Sequence, residues 1–514
     1  MINFRQELEQ VVVSAEQMRQ IEERIFAAGM PVAALMEKAA LLTAIRIQEL
    51  YPLTNISKVG ILIGPGHNGG DALVIARELY LNGYQVSLYQ PLTKLKELTT
   101  QHAQYAASLG IPCFETIEPL QECDLIIDGL FGFGLERSLS GTIAAAVNKL
   151  NQWSTPVVSI DIPSGLHTDT GEVLGTAIRA TYTLCLGLWK LAFFQDSALE
   201  YIGKAERIDF GIPPYDVWAI ISQPPQIQKI NLTVAKKILP LPRPVVTHKY
   251  QQGHLLVICG SHRYAGGAIL TGLGARSSGV GMLSIAAPAY LKPMLVNHLP
   301  DALIIGCPET PTGAISHLPE QDFSQYTAIA CGPGLTQEAH SVVIATLTAE
   351  CPLILDADGL NIIAQMGTVV SLSPRKHPTI LTPHLGEFKR LFPDIQTLDR
   401  LKAVQTAAQK SGAIVLLKGA RTAIAHPAGS LWLIGESTPA LARGGSGDVL
   451  TGLMGGLLAT VREEQPIEAI VATAAWWHAQ AGILAASELT ELGVDGFTLA
   501  QYVGKTLNRL LQAE

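Results

Sequence analysis

Basic residues are too few in this chain to build a nucleic-acid surface: 36 Lys and Arg stand against 44 Asp and Glu, a net charge of −8. Charged residues make up only 16% of the 514, while hydrophobic ones make up 48%, so material for buried sheets is ample. The cysteines (Cys113, Cys123, Cys185, Cys259, Cys307, Cys331, Cys351) are scattered, with no C-x-x-C pair. Most lie in or beside apolar runs, as reduced core residues do. No apolar run reaches membrane-spanning length without Gly, Pro or charge, and Met1 to Glu7 form no basic and apolar leader. The expectation is a soluble, cytoplasmic protein that binds small molecules, with no nucleic acid or membrane among its partners. A homo-oligomer is the default for such a protein.

What the chain does have is one unusual turn, Arg443-Gly444-Gly445-Ser446-Gly447-Asp448-Val449-Leu450. Three glycines and a serine bare the backbone just where an apolar helix begins. Unpaired N–H groups and the helix dipole there favour an anion. A carboxylate in that place is awkward unless it handles protons beside a bound phosphate. Asp448 as a plain helix cap is the simpler reading, but a cap does not require three glycines.

At 514 residues the chain exceeds a single core. Ser14-Ala15-Glu16-Gln17 is a capping box that opens a helix, and a second helix runs from about Ala33 to Leu50. Short apolar strands then alternate with amphipathic helices: Val59–Ile63, Val86–Tyr89, Leu125–Ile127 and Val157–Ile160. Such alternation predicts an α/β fold with a parallel sheet between helical layers. It fails from about Gly211 to Tyr250, where prolines crowd, and this predicts a domain of residues 1–225, a proline-rich linker 226–247 and a second domain 248–514. The second series runs through His254–Ile258, Leu283–Ala286, Ala328–Ala330, Leu353–Leu355, Ile380–Leu381 and Ile414–Leu417. Its helices include Thr336–Glu350, Leu398–Lys410, Val449–Val461 and Ile467–Glu488. In such sheets ligands gather beyond the carboxyl ends of the strands.

In the first domain three loops follow strands: Gly64-Pro65-Gly66-His67-Asn68-Gly69-Gly70-Asp71, Asp128-Gly129-Leu130-Phe131-Gly132-Phe133-Gly134-Leu135, and Asp161-Ile162-Pro163-Ser164-Gly165. The first is neither G-x-G-x-x-G nor a P-loop. All three open on one sheet edge and converge Asn68, Asp128, Asp161 and Ser164. Asp161 is placed for general-base work, and the other three offer oxygens suited to a hard cation. Each Asp could instead cap its own turn.

These motifs, in this order, resemble the YjeF N-terminal family of NAD(P)H-hydrate epimerases. The resemblance implies a Rossmann-like domain that interconverts the R and S forms of hydrated NADH or NADPH. It makes Asp161 the base and surrounds a potassium ion with Asn68, Asp128 and Ser164. It gives the dinucleotide to His67, Asn68, Gly69, Gly70 and Asp71, and to Gly132, Phe133, Gly134, Leu135, Glu136, Arg137 and Ser138. The family often has a second asparagine where His67 stands and a small residue in place of Phe133.

The second domain frames its glycine turn with Gly266-Gly267, Cys331-Gly332-Pro333-Gly334, Thr382-Pro383-His384 and Lys418-Gly419-Ala420-Arg421-Thr422. Lys418 at a strand end can neutralise phosphate, and Thr422 can donate to it. His384 should reach the cleft, although a lone histidine is usually structural; His478, beside Trp476 and Trp477, reads as core. Asp356 and Asp358 could meet a metal-bound phosphate or cap a turn.

These residues resemble the ribokinase-like NAD(P)H-hydrate dehydratases. The resemblance implies removal of water from the S-hydrate, driven by ADP as co-substrate, with Mg2+ bridging its phosphates. It puts Ala268, Gly334, His384 and Asp448 on the hydrate and Lys418, Gly419, Ala420, Arg421, Thr422 and Gly447 on the nucleotide. Two three-layer domains, an epimerase and a dehydratase, are therefore expected. The alternative is a ribokinase-type kinase for a small molecule such as a vitamin precursor, with a non-catalytic N-terminal scaffold.

Overall fold

The computed structural model describes residues 7–319, 322–460 and 465–512. Residues 1–6, which carry most of the stretch read for a leader, and Val461, read as a helix end, lie outside the described residues. The chain divides into two compact units, Met1–Gln226 and Ile227–Glu514.

In the first unit α1 (Ala15–Ala27) starts at Ser14, whose hydroxyl accepts from the Gln17 N–H at 3.2 Å while the Gln17 side chain accepts from the Ser14 N–H at 3.0 Å. Its stripe Met18, Ile21 and Ile25 is buried. Then come α2 (Val32–Leu50), β1 (Lys58–Ile63), α3 (His67–Leu81), β2 (Gln85–Tyr89), β3 (Cys113–Phe114), β4 (Leu125–Gly129), β5 (Val157–Ile160), β6 (Tyr182–Leu186) and β7 (Lys204–Ile208). The seven strands form one parallel sheet in the order β3-β2-β1-β4-β5-β6-β7. Alternate strand residues serve opposite layers. Ile61, Ile63 and Ile127 pack with Ile47 of α2 and Leu73 and Ile75 of α3. Leu62 and Ile126 pack with Val147 and Leu150 of the helix Gly141–Leu150 on the other face. Both faces are therefore covered, and the carboxyl ends of β1, β4, β5 and β6 open on one edge.

The second unit comprises β8 (Ile227–Lys229), β9 (His254–Ile258), α4 (Ala265–Ser277), β10 (Met282–Pro288), β11 (Leu303–Cys307), β12 (Ala328–Cys331), β13 (Leu353–Leu355), β14 (Thr379–Leu381), α5 (Leu385–Leu391), β15 (Ile414–Leu417), β16 (Ala423–Ala425), β17 (Leu431–Leu433), α6 (Ser446–Thr460), α7 (Ile467–Leu489) and α8 (Gly496–Gln512). Its ten strands run β8-β17-β16-β15-β14-β13-β12-β9-β10-β11. Only the pairings of β15 with β16 and β16 with β17 are antiparallel. The sequence pattern missed β8, β16 and β17, which have three residues each, too few to show a period, and it also missed the five-residue edge strand β11.

Part of the stretch read as a linker over 226–247 is built into this unit. β8 pairs with β17 at the sheet edge, and the helix Leu232–Ile238 buries Ala235 and Ile238 in the core. The run 239–248 lies outside regular structure, and Pro240, Pro242 and Pro244 in it oppose helix and strand alike. The helix read as Thr336–Glu350 is shorter, spanning His340–Thr346 after a 3-10 turn at Gln337–Ala339. By length and composition α7 could cross a membrane, although Glu468 and Gly482 interrupt its apolar run as the sequence reading required, and 78% of its apolar stretch is buried inside the unit. It is apolar all round because it is packed all round.

Glycines set the closest helix crossing. A Cβ at Gly274 of α4 would lie 2.2 Å from the Val449 carbonyl, and one at Gly452 of α6 would lie 1.9 Å from the Thr271 carbonyl. The two backbones touch, which fixes the start of α6 against the middle of α4. Gly452→Ala should therefore destabilise the protein by about 1–3 kcal/mol through overpacking. Thermal unfolding checks this, and an unchanged midpoint would show that α4 and α6 are free to separate.

Candidate functional sites

At the carboxyl edge of the first sheet lies a cavity of about 980 Å³. Asp161 turns into it directly after β5 with φ of +67°, a left-handed conformation that Asp tolerates better than most residues. Its Oδ1 accepts from Lys190 Nζ at 2.5 Å and its Oδ2 from the Phe133 N–H at 3.0 Å. Lys190 is fully buried. Burial opposes its charge, but Asp161 outweighs that and holds the ammonium above its usual pKa.

Two further carboxyls share the cavity. Glu22 of α1 is pushed up to about 7, first by burial and then by Asp161, with Lys190 opposing. Asp71 of α3 is driven well above the usual carboxylate range by burial, then by Asp161 and Glu22. The site thus sets the Asp161–Lys190 pair beside two carboxyls that burial makes reluctant to ionise. Sequence reading missed Lys190 and Glu22. The signals were a lone lysine inside Leu188-Trp189-Lys190-Leu191-Ala192-Phe193 and a glutamate on the apolar stripe of α1.

Of the residues expected on the dinucleotide, His67, Asn68, Asp71, Gly132, Phe133, Gly134, Leu135, Glu136 and Arg137 line the cavity. Gly69, Gly70 and Ser138 do not. A Cβ at Gly69 would lie 1.9 Å from the Gly64 carbonyl and one at Gly70 would lie 2.7 Å from Met36, so these glycines close the strand–helix turn. Asp128 and Ser164 also sit behind the cavity wall. Asp128 is fully buried and accepts from the Ser164 hydroxyl and the Leu130 N–H on one oxygen, and from the Ser159 hydroxyl and the Ser164 N–H on the other, at 2.6–3.2 Å. Burial raises its pKa, and only these hydrogen bonds, with no cationic side chain, oppose that rise. The Asn68 amide nitrogen is buried without a partner.

In the second unit a matching pair stands at the strand ends. Lys418, after β15, reaches Asp356, after β13, at 2.8 Å and approaches Glu387 at 4.0 Å. The Thr451 hydroxyl of α6 donates to Asp356 at 2.7 Å. Burial disfavours the Asp356 carboxylate, yet Lys418 and the hydroxyls outweigh it and hold its pKa below the usual value. Asp448 stands in the first turn of α6, and burial, then Asp356, raise it to about 7 against the pull of Lys418. Gly445 turns the chain into α6 at φ +93°, where a side chain would strain the backbone and strike Leu270. Gly447 adjoins Lys418: a Cβ there would lie 3.5 Å from Nζ. Gly267 and Gly334 border Asp448, since a Cβ on Gly267 would lie 3.5 Å from Oδ2 and 3.9 Å from the Gly334 Cα.

Several expected contacts take other roles. Ala268 is fully buried, backbone included, and lies behind the surface a ligand would meet. His384 caps α5, its Nδ1 accepting from the Gly386 and Glu387 N–H groups at 3.0 and 3.3 Å, while the ring stays more than half exposed. Gly419 and Ala420 are exposed, and Thr422 donates to the Gly419 carbonyl at 3.3 Å. Arg421 donates to the Ala420 carbonyl at 3.3 Å. Asp358 accepts from the Thr336 N–H at 2.9 Å and so ties two loops together, whereas Asp356 pairs with Lys418. His478 is buried as read, but its Nε2 lies 3.0 Å from the Ser446 carbonyl and so braces the glycine turn. Among the described residues no group of three His, Cys, Asp or Glu side chains is disposed to hold a metal.

Comparison with known proteins finds a different family in each unit. Residues 32–192 match the family described as YjeF-related protein N-terminus, and residues 255–507 match the family described as NAD(P)H-hydrate dehydratase. A bifunctional NAD(P)H-hydrate repair enzyme of Synechocystis is 57% identical over 96% of this chain and 94% of its own. Those of Thermosynechococcus vestitus and Gloeobacter violaceus are 52% and 46% identical, over 98% and 95% of this chain and 98% and 96% of theirs.

Removing one partner of a buried ion pair strands the other charge. Lys190→Met should cost about 3–5 kcal/mol, most of it recovered in Lys190→Met/Asp161→Asn. Denaturant unfolding of the two variants checks this, and equal losses in both would contradict the pairing.

Proposed function

The chain belongs to the bifunctional NAD(P)H-hydrate repair enzymes, and from that premise we propose that its first unit epimerises hydrated NADH and NADPH while its second dehydrates the S form. The observation that carries the reading is the same device in each unit: a carboxylate facing open space beside a buried Asp–Lys pair or within one.

In the first unit Asp161 takes the proton of the hydroxyl at C6 of the hydrated ring. The C6–N1 bond opens as the carbonyl forms, rotation presents the other face, and closure returns the second epimer. Lys190 and the Phe133 N–H donate to the two oxygens of Asp161 and hold the carboxylate in place for this step. Potassium is assigned to the oxygens of Asn68, Asp128 and Ser164. The fit rests on Asp128, a buried carboxylate with no cationic side chain to balance it. A monovalent cation would supply that charge, and no chemical step passes through it.

In the second unit Asp448 takes the proton of the same hydroxyl, whose oxygen then attacks the terminal phosphoryl of ADP and releases AMP. Phosphate leaves far more readily than hydroxide. The ring-nitrogen lone pair expels it, and loss of a C5 proton restores the dihydronicotinamide. Lys418 offsets charge on the phosphates, and the amides of 444–447 meet the charge that develops on them. Mg2+ held by the nucleotide phosphates would offset part of their charge, beside Lys418.

A kinase of the same fold would leave phosphate on an organic product. Incubation with ADP and the S-hydrate should instead return dihydronicotinamide absorbance with one free phosphate per turnover. Absorbance that never returns, with ADP or ATP, would sink the dehydratase. Because Asp448 must be ionised to act and is held at about 7, kcat/KM should climb with pH through neutrality and then level off. A profile flat across that range would remove Asp448 from the role of base.

A further inference from the structure

We propose that Glu22 is the acid of the epimerisation, handing its carboxyl proton to the ring nitrogen as Asp161 removes the proton of the hydroxyl. This rests on the first unit being an epimerase. Ring opening needs both transfers: electrons from the breaking C6–N1 bond collect on N1, which must gain a proton while the hydroxyl loses one. In closure N1 attacks the carbonyl carbon and returns its proton to Glu22, while Asp161 gives its proton back to the oxygen. Nothing is oxidised, no water is consumed, and both carboxyls end as they began.

Three observations place Glu22 in that role. The first is its position on α1, where Met18, Ile21 and Ile25 form the buried stripe. Glu22 lies one turn after Met18 and one turn before Ile25, on the apolar side of the helix, where a hydrophobic residue would ordinarily pack. The second is the cavity, whose lining includes Glu22 together with Asp161 and Lys190, so the carboxyl and the proposed base share one enclosed space. The third is anchorage. The Ala15 N–H donates to Asp169 Oδ1 at 2.8 Å, tying the start of α1 to the chain that follows Asp161. Arg24 of the same helix reaches Asp216 at 3.4 Å.

The charged groups facing Glu22 are Asp161 and Lys190, with Asp71 on α3. Arg19, His67 and Lys96 also line the cavity. Burial and Asp161 hold the Glu22 proton on to about 7, against Lys190. A carboxyl poised there can give and recover a proton near neutrality. Asp71 is less exposed than Glu22, and burial also favours its protonated form, which suits a fixed hydrogen-bond donor better than a shuttle.

The test uses the full chain with the R-hydrate, following the appearance of the S form. Glu22→Gln keeps the shape and removes the transferable proton. It should lower kcat about 100-fold with KM little changed. It should also abolish the fall in rate above neutral pH that the wild type shows as Glu22 ionises. Asp71→Asn should keep that fall, and dehydration of supplied S-hydrate should be the same in wild type and Glu22→Gln. Asp161→Asn, run alongside, tests the epimerase reading separately. A Glu22→Gln rate close to the wild-type rate, or a slow variant that still loses activity above neutrality, overturns the proposal. The wild-type profile is a second test that needs no variant: a rate that does not fall above neutral pH overturns it equally.

Discussion

A buried aspartate–lysine pair at the carboxyl ends of parallel strands organises each unit of this protein. Asp161 and Lys190 meet at 2.5 Å in the first, Asp356 and Lys418 at 2.8 Å in the second. A lone buried charge would be costly, so neither partner could occupy its place without the other. The pairs also set the protonation of their neighbours. Burial first, and then the aspartate of the pair, raise a neighbouring carboxyl to about 7 against the pull of the lysine, as for Glu22 beside the first pair and Asp448 beside the second. Environment thus divides chemically identical groups into ionised and neutral members, which is what acid–base work at neutral pH requires.

Around these pairs the backbone has little freedom. The turn into α6 needs Gly445 at φ +93°, and the α4–α6 contact needs Gly452 bare against the Thr271 carbonyl. His478 braces the same turn from α7 through the Ser446 carbonyl. Burial lowers its pKa to about 4, so it acts as a neutral donor and adds no charge to an anion site. The glycines of 443–447 therefore do two things, baring amides towards a ligand and letting two helices touch.

Much of this was legible in the sequence. Strand–loop motifs located both sites because parallel strands bring their carboxyl ends together whatever the loop lengths. Asp161, Asp448 and Lys418 all stand where strand ends or a helix start put them. What was not legible came from distant parts of the chain. Glu22 lies on a helix that precedes the first sheet, and Lys190 follows a strand whose mixed sequence hid it. Gly69 and Gly70 read as ligand-binding because glycine permits close approach, but here the approaching groups are Gly64 and Met36. His384 sits in the right loop, yet a histidine can cap a helix as well as face a substrate, and residue type alone cannot separate the two. The linker was misplaced because prolines mark an irregular stretch without saying which core claims its flanks.

The central claim is that two separate sites in one chain act in sequence on a damaged dinucleotide. The most direct test supplies the pure R-hydrate and ADP to the full-length protein and to its Asp161→Asn variant, and follows the return of dihydronicotinamide absorbance. The wild type should restore the cofactor completely. The variant should leave the R-hydrate untouched while still consuming added S-hydrate at the wild-type rate. Equal use of the R-hydrate by both proteins would contradict the account.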